Sequence, residues 1–111
     1  MAKHKSQISG RYRITSMEMW DNDFIDAEVP GYINFAKHGL GDFQFGYVCC
    51  DIDWQQTERD GQPAVEFTFE GTDEMDPCSG RGWGVVTDDE LDGMICFHRG
   101  DESGFKARKK R

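Results

Sequence analysis

Several side chains that could do chemistry lie close together between residues 66 and 84, in the stretch EFTFEGTDEMDPCSGRGWG. Asp73, Glu74 and Asp76 fall within four residues, and hard cations such as Ca²⁺ prefer several oxygen ligands of this kind. However, the EF-hand pattern is absent, and Pro77 interrupts the spacing. The stretch is therefore interpreted first as a solvated or arginine-paired turn, with a metal site in the acidic turn 73-76 as an alternative.

Arg81 follows this acidic turn and is one of only four basic residues in the acidic central part of the chain. Its guanidinium can bind a carboxylate through two parallel hydrogen bonds. A pair with Asp73, Glu74 or Asp76 would make the turn a structural clasp. A guanidinium that points into a cavity would instead anchor an anionic ligand. The spacing leaves both roles open and favours the clasp.

Further along, the segment FHRGDES places a histidine near two acids at the end of a strand-like run. A histidine beside a carboxylate can act as a general base. No G-x-S-x-G motif accompanies it, so the sequence predicts no catalytic residue. The candidate ligand-binding or partner-binding patch consists of Asp73, Glu74, Asp76, Arg81, Trp83, His98 and Asp101.

The four cysteines, Cys49, Cys50, Cys78 and Cys96, do not have the spacing of a zinc site. We therefore predict neither a bound metal nor a cofactor. The N-terminal residues lack the apolar segment of a secretory signal, and no run approaches the roughly 20 apolar residues of a membrane span. These features predict a cytoplasmic protein with reduced thiols and no membrane contact.

The charges are unevenly distributed along a single domain of 111 residues with a net charge of -8. All 21 acidic residues lie between positions 17 and 102, and both ends of the chain are basic. An acidic body repels phosphate backbones, which makes a nucleic-acid partner an unfavourable choice. The basic ends, at about 1-7 and 108-111, are predicted to be frayed.

Aromatic residues alternate with polar ones in several segments, which favours an all-β domain. In AVEFTFEG, Val65, Phe67 and Phe69 should face inward. In DFQFGYVC, one continuous strand should carry Phe43, Phe45, Tyr47 and Cys49 on the core face and leave Cys50 outside. Asp60–Gly61 is a strong signal for a hairpin turn.

About seven such segments, spaced roughly ten residues apart, predict a small antiparallel β-barrel or strongly curled meander sheet, with a β-sandwich as the runner-up. A bulge near Thr15–Ser16 would place Met17 and Met19 on the core face. One short helix near Asp21–Glu28 should cover the core. Glycines within the strands are expected at sharp bends or under large side chains; they are Gly46, Gly82, Gly84 and Gly93.

Four segments resemble a family of short uncharacterised bacterial proteins, a domain of unknown function: GRYRITSMEMWDNDFID, FQFGYV, VEFTFEGTDEMDPCSGRGWG and GMICFHRGDESGFKARKK. The likeness runs from about Ile8 to Arg108. It implies a free-standing bacterial cytosolic protein and no particular activity, cofactor or catalytic residue. The start GRY, residues 10–12, is also similar to the opening of the first strand of lipocalin-type barrels.

These features together predict a non-enzymatic binding or interaction module. Its partner would be an unknown small ligand, another protein, or a second copy of the chain in a homo-oligomer. The first alternative is a ligand-carrying barrel with an aromatic cavity. The second alternative is an enzyme or metal-binding protein that uses His98 and the acidic turn 73-76.

Overall fold

A computed structural model describes residues 8–110, which form one closed barrel of eight strands. The elements are β1 (Gly10–Met17), α1 (Asn22–Ile25), β2 (Tyr32–Phe35), a 3₁₀ helix (Lys37–Gly39), β3 (Leu40–Phe45), β4 (Val48–Arg59), β5 (Gln62–Asp73), β6 (Asp76–Thr87), β7 (Glu90–Phe97) and β8 (Glu102–Lys109). Each strand pairs antiparallel with the next, and β8 pairs with β1. This arrangement confirms the predicted antiparallel barrel.

The barrel has one strand more than the seven predicted, because a hairpin turn divides the segment DFQFGYVC. Phe45 and Val48 pair directly across the two-residue turn Gly46–Tyr47. Gly46 has a φ of 57°, as type II′ hairpins require at their first central position. Since paired residues lie on the same face, the inward-facing positions change from odd to even numbers at this turn.

The predicted orientation of the two adjacent cysteines was wrong for this reason. Cys50 faces the interior and is 4% exposed, whereas Cys49 is on the outer surface. Tyr47, which was expected on the core face, is 40% exposed. The alternation then continues through Ile52, and the strand runs on to Arg59.

The first strand contains the predicted bulge, since its register against β8 shifts between Ile14 and Ser16. The bulge brings Met17 to the inner face together with Tyr12 and Ile14. Met19 lies beyond the end of the strand and is 51% exposed, so its predicted place in the core was wrong.

The last strand extends further than predicted, and it includes Arg108 and Lys109, which were expected to be frayed. Arg108 and Lys109 pair with β1, and the Arg108 Nη2 atom lies 2.6 Å from a carboxylate oxygen of Glu90 on β7. Lys110, also expected to be frayed, donates a hydrogen bond from its amide to the Arg11 carbonyl at 2.8 Å. The other residues of the predicted frayed ends, 1–7 and 111, lie outside the described residues.

Aromatic rings fill the barrel interior. Phe67 contacts Phe35 and Phe69, at 5.8 Å and 6.4 Å between ring centroids, and Phe69 contacts Phe43 at 5.0 Å. Gly82 lies directly under Phe67, because a Cβ atom at this glycine would come within 2.5 Å of the phenyl ring. Small residues on β6 thus make room for the large rings of β5, as predicted for glycines under large side chains.

The segment between β1 and β2 covers one end of this aromatic interior, as predicted for the short helix. Asp21 caps α1 by accepting a hydrogen bond from the Phe24 amide at 3.0 Å. Phe24 and Trp20 pack on Phe45, with ring centroids 6.3 Å and 5.0 Å away. In the part of the chain that the structure describes, no helix is long and apolar enough to cross a lipid bilayer.

A bidentate ion pair fastens this cover to β1. The Arg13 guanidinium donates two hydrogen bonds to the Asp26 carboxylate, at 2.9 Å and 3.0 Å, and the Gly31 amide donates a third at 2.9 Å. The Gly31 amide and the Arg13 guanidinium together lower the pKa of Asp26. The charged form of Asp26 therefore stabilises the folded state.

Replacing Asp26 with asparagine is expected to lower the free energy of unfolding by about 1–2 kcal/mol at pH 7, because a partly exposed charge-assisted pair is lost. Since the folded-state pKa is lowered, this stabilisation is present above the ordinary Asp value of about 3.9 and disappears as the pH falls further. Urea denaturation of both proteins at pH 7 and pH 3 measures the effect. A difference as large at pH 3 as at pH 7 would contradict this account.

Candidate functional site

The acidic stretch between residues 66 and 84 belongs to a long hairpin, β5–β6, and not to an extended loop. The strands pair from Ala64 opposite Val85 as far as Asp73 opposite Asp76. Only Glu74 and Met75 form the turn, and all four residues from 73 to 76 are exposed. We call residues 73–76 the tip hairpin.

The tip hairpin is a strained turn. Glu74 and Met75 have φ values of 51° and 79°, the positive region that type I′ turns require and that Asn and Gly adopt most readily. Asp73 and Asp76 also face each other directly, and like charges in this position repel. Among residues 8–110, no group of three or more His, Cys, Asp or Glu side chains is arranged to hold a metal ion. The metal-site alternative therefore gains no support here.

A double change of Glu74 to Asn and Met75 to Gly is expected to raise the free energy of unfolding by about 1–2 kcal/mol, because it relieves the backbone strain. The corresponding rise in Tm is on the order of 5 °C. Gly61→Ala provides the matched opposite test, since Gly61 has a φ of 80° in open space and a side chain there adds only strain. Its Tm should fall. An unchanged or lower Tm of the double variant would contradict the strain argument.

Arg81 does not form the predicted clasp with the tip hairpin. It lies on β6 opposite Thr68 and five residues from Asp76, about 16 Å along the strand. Its side chain is exposed, and no ion pair or side-chain hydrogen bond involves it within residues 8–110. Arg81 instead lines a groove on the outer surface of the barrel. This position is compatible with the other predicted role of Arg81, an anchor for an anionic ligand.

This outer groove crosses the outward faces of β4, β5, β6 and β7. It consists of two adjoining depressions of about 1010 Å³ and 630 Å³, which share Arg81, Asp53, Thr68 and Cys96. The larger depression continues towards the β7–β8 turn at His98, and the smaller one towards Trp83. Arg81 thus lies where the two depressions meet.

Carboxylates line the outer groove without internal partners. Asp51, Glu70 and Glu102 lie in the larger depression and Glu66 in the smaller one, while Asp53 borders both. None of these five takes part in an ion pair or a side-chain hydrogen bond with another residue of the described range. Their charges are therefore available to a cationic partner.

Three of the acids on this face lie in one row across neighbouring strands. Asp42 of β3 pairs with Asp51 of β4, which in turn pairs with Glu70 of β5. Asp42 accepts hydrogen bonds from Tyr32 and Asn34, so only Asp51 and Glu70 remain unpartnered. Like charges directly opposite each other destabilise a sheet. The row of Asp42, Asp51 and Glu70 is therefore expected to lower the stability of the fold.

Trp83 forms one wall of the smaller depression and already binds a guanidinium. The Arg59 Cζ atom lies 3.9 Å from the Trp83 ring centroid, at cation–π distance. Arg59 is on β4 and Trp83 on β6, so the guanidinium reaches the ring across the intervening strand β5. A guanidinium of the same chain thus occupies the face of Trp83.

The other two predicted site residues lie in the β7–β8 turn. The His98 amide donates to the Ser79 carbonyl at 2.7 Å, and the Asp101 carbonyl accepts from the Phe97 amide at 2.9 Å. Both side chains are exposed, and no side-chain hydrogen bond joins them within the described range. The alternative of a His98-based enzyme therefore gains no support from this geometry.

The predicted seven-residue patch is thus divided in the structure. Arg81, Trp83 and His98 line the outer groove, whereas the tip hairpin and Asp101 lie outside it. The acids that β4 and β5 contribute to the groove were not among the predicted site residues. The alternation of AVEFTFEG did indicate that Glu66 and Glu70 face outward. However, nothing within one strand reveals which residues of the next strand lie beside them.

Comparison of the chain with protein-family models, with curated proteins and with solved structures finds no match. The resemblance to short bacterial proteins and the similarity of residues 10–12 to lipocalin-type barrels therefore stay predictions.

Proposed function

We propose that this protein is a non-enzymatic binding module that holds a basic segment of a partner protein in the outer groove. The observation that carries the proposal is the set of five unpartnered carboxylates along the groove: Asp51, Asp53, Glu66, Glu70 and Glu102. The row of opposed acids costs the sheet stability, and a cationic partner would remove that cost on binding.

The chemistry of the groove fits an extended peptide with lysine or arginine side chains. The carboxylates can accept hydrogen bonds from the ammonium or guanidinium groups of such side chains. Arg81, at the junction of the two depressions, can donate to main-chain carbonyls of the bound segment. A dispersed row of acids suits such a chain better than a single ion.

The filled interior favours this surface over the ligand-carrying barrel. A carrier needs space among the rings, but Phe35, Phe43, Phe67 and Phe69 are each at most 4% exposed and contact one another. A cytoplasmic location also belongs to the proposal. All four cysteines are free thiols, which suits a reducing compartment.

The test is a titration of ¹⁵N-labelled protein with two synthetic peptides of equal length, one of alternating Arg and Ala and one of alternating Glu and Ala. The basic peptide should shift amide resonances of Asp51, Thr68, Glu70 and Arg81, and raising the salt concentration should weaken its binding. Sedimentation of the protein alone distinguishes a separate partner from a second copy. Equal shifts with the acidic peptide, or shifts confined to the tip hairpin, would overturn the proposal.

A further inference from the structure

Two thiols approach each other inside the barrel, close to the tip hairpin. The Cys50 Sγ atom lies 3.6 Å from the Cys78 Sγ atom. Cys50 is buried, whereas Cys78 is partly exposed. The two residues come from β4 and β6, and both pair with Gly71 of the intervening strand β5. The curl of the sheet over Gly71 thus brings together thiols of strands that are not neighbours.

We propose that Cys50 and Cys78 form a reversible disulfide when the protein meets a small-molecule disulfide such as oxidised glutathione. A disulfide bond is about 2.05 Å long, so the two sulfur atoms must come closer by about 1.5 Å. This inference is independent of the partner proposed for the outer groove. It assigns a modification site to two residues that otherwise belong to the core.

Local features of the hairpin allow this approach. Gly71 carries no side chain between the thiols, and a Cβ atom there would lie 2.0 Å from the Cys49 carbonyl oxygen. Only glycine lets the strands come so close at this point. Cys78 also lies on the part of β6 that extends beyond β7, because the β6–β7 pairing begins at Gly80. The segment around Cys78, which must shift for the disulfide to form, is therefore paired with β5 but not with β7.

The reaction is a pair of thiol–disulfide exchanges. Cys78, the more exposed thiol, loses its proton to solvent and attacks one sulfur of oxidised glutathione, which releases one glutathione thiolate. Cys50 then loses its proton and attacks the Cys78 sulfur of the mixed disulfide, which releases the second glutathione. The protein dithiol loses two electrons, and one glutathione disulfide becomes two glutathione molecules. Burial raises the pKa of both thiols, so the exchange should be slow at neutral pH.

The experiment uses the full chain, incubated with oxidised glutathione, alkylated and digested with trypsin without reduction. Cleavage after Lys37, Arg59, Arg81 and Arg99 separates the peptide with Cys49 and Cys50 from the peptides with Cys78 and Cys96. We expect the peptides 38–59 and 60–81 to be linked, and dithiothreitol to separate them. The Cys49→Ser variant should keep this link, which assigns it to Cys50.

Two further variants complete the test. Cys50→Ser should stop at a glutathione adduct on Cys78, whereas Cys96→Ser should behave like the natural protein. Unlinked peptides in the natural protein, or a link that survives Cys50→Ser and is lost in Cys49→Ser, would overturn the proposal. Far-ultraviolet circular dichroism of each variant shows whether it is folded. If Cys50→Ser does not fold, Cys50→Ala, which leaves out the polar hydroxyl, replaces it.

Discussion

Replacing Phe67 with alanine is expected to lower the free energy of unfolding by about 3–5 kcal/mol, the range for loss of a buried phenyl ring. Phe67 is 4% exposed, packs on Phe35 and Phe69, and covers Gly82. Since Gly82 has no side chain to fill the space, the neighbours can collapse only partly. Chemical denaturation of the variant and the natural protein measures the loss.

Glu66→Ala is the matched control, because Glu66 is the preceding residue on the same strand but faces outward. Its stability should change by no more than about 0.5 kcal/mol. The Phe67→Ala cavity should also bind benzene and gain Tm from it, whereas the natural protein should not. A loss below about 1 kcal/mol would mean that the interior has spare room. The ligand-carrying barrel would then become the stronger functional hypothesis.

Changing Glu70 to lysine is expected to affect stability and binding in opposite directions. The new ammonium faces Asp51 directly, so an unfavourable pair becomes a favourable one. We expect a gain of about 0.5–1 kcal/mol in the free energy of unfolding. Binding of the basic peptide should weaken at least tenfold, equivalent to about 1.4 kcal/mol, because one carboxylate is lost and a repulsive charge is added.

Glu28→Lys separates a local effect from an effect of net charge. Glu28 is exposed in the segment after α1 and does not line the outer groove. Glu28→Lys changes the net charge by the same amount as Glu70→Lys, but at a position outside the groove. Its variant should therefore keep the affinity for the basic peptide within about twofold. Isothermal titration calorimetry at low and physiological salt measures both variants. Equal losses in the two variants would show that the peptide senses the overall charge and not the groove.

The interior and the outward face of the barrel are expected to respond differently to substitution. The interior of the barrel is built for packing, so changes such as Phe67→Ala should act on stability. The outward face of β4 and β5 carries opposed acids that reduce stability, so Glu70→Lys should stabilise the fold while it harms binding. A surface that loses stability for the sake of charge is expected at a functional site.

The sequence by itself determined the fold class and many of the inward-facing residues. Val65, Phe67 and Phe69 alternate with polar residues within one strand, and Asp60–Gly61 supplies the positive φ values of a tight turn. Both signals act over a few neighbouring residues, where the period of a strand decides which side chains share a face. The bulge at Ile14–Ser16 was predicted from the same period.

Local patterns were misleading where a turn could be mistaken for a continuing strand. Gly46–Tyr47 lies within an unbroken alternation, and a strand there would keep odd residues inside. The hairpin places Phe45 opposite Val48 instead, and this reverses the predicted orientation of Cys49 and Cys50. Only closure of the barrel decides between the two arrangements, because it fixes which strands must pair.

The candidate sites were decided by tertiary structure alone. Asp51, Glu70 and Arg81 come from three different strands, and Cys50 and Cys78 come from strands that do not even pair. The sequence contains all five residues, but their proximity depends on the register between distant segments and on the curl over Gly71. Register is set by packing of the whole core and by closure of the barrel, which no short stretch of sequence encodes.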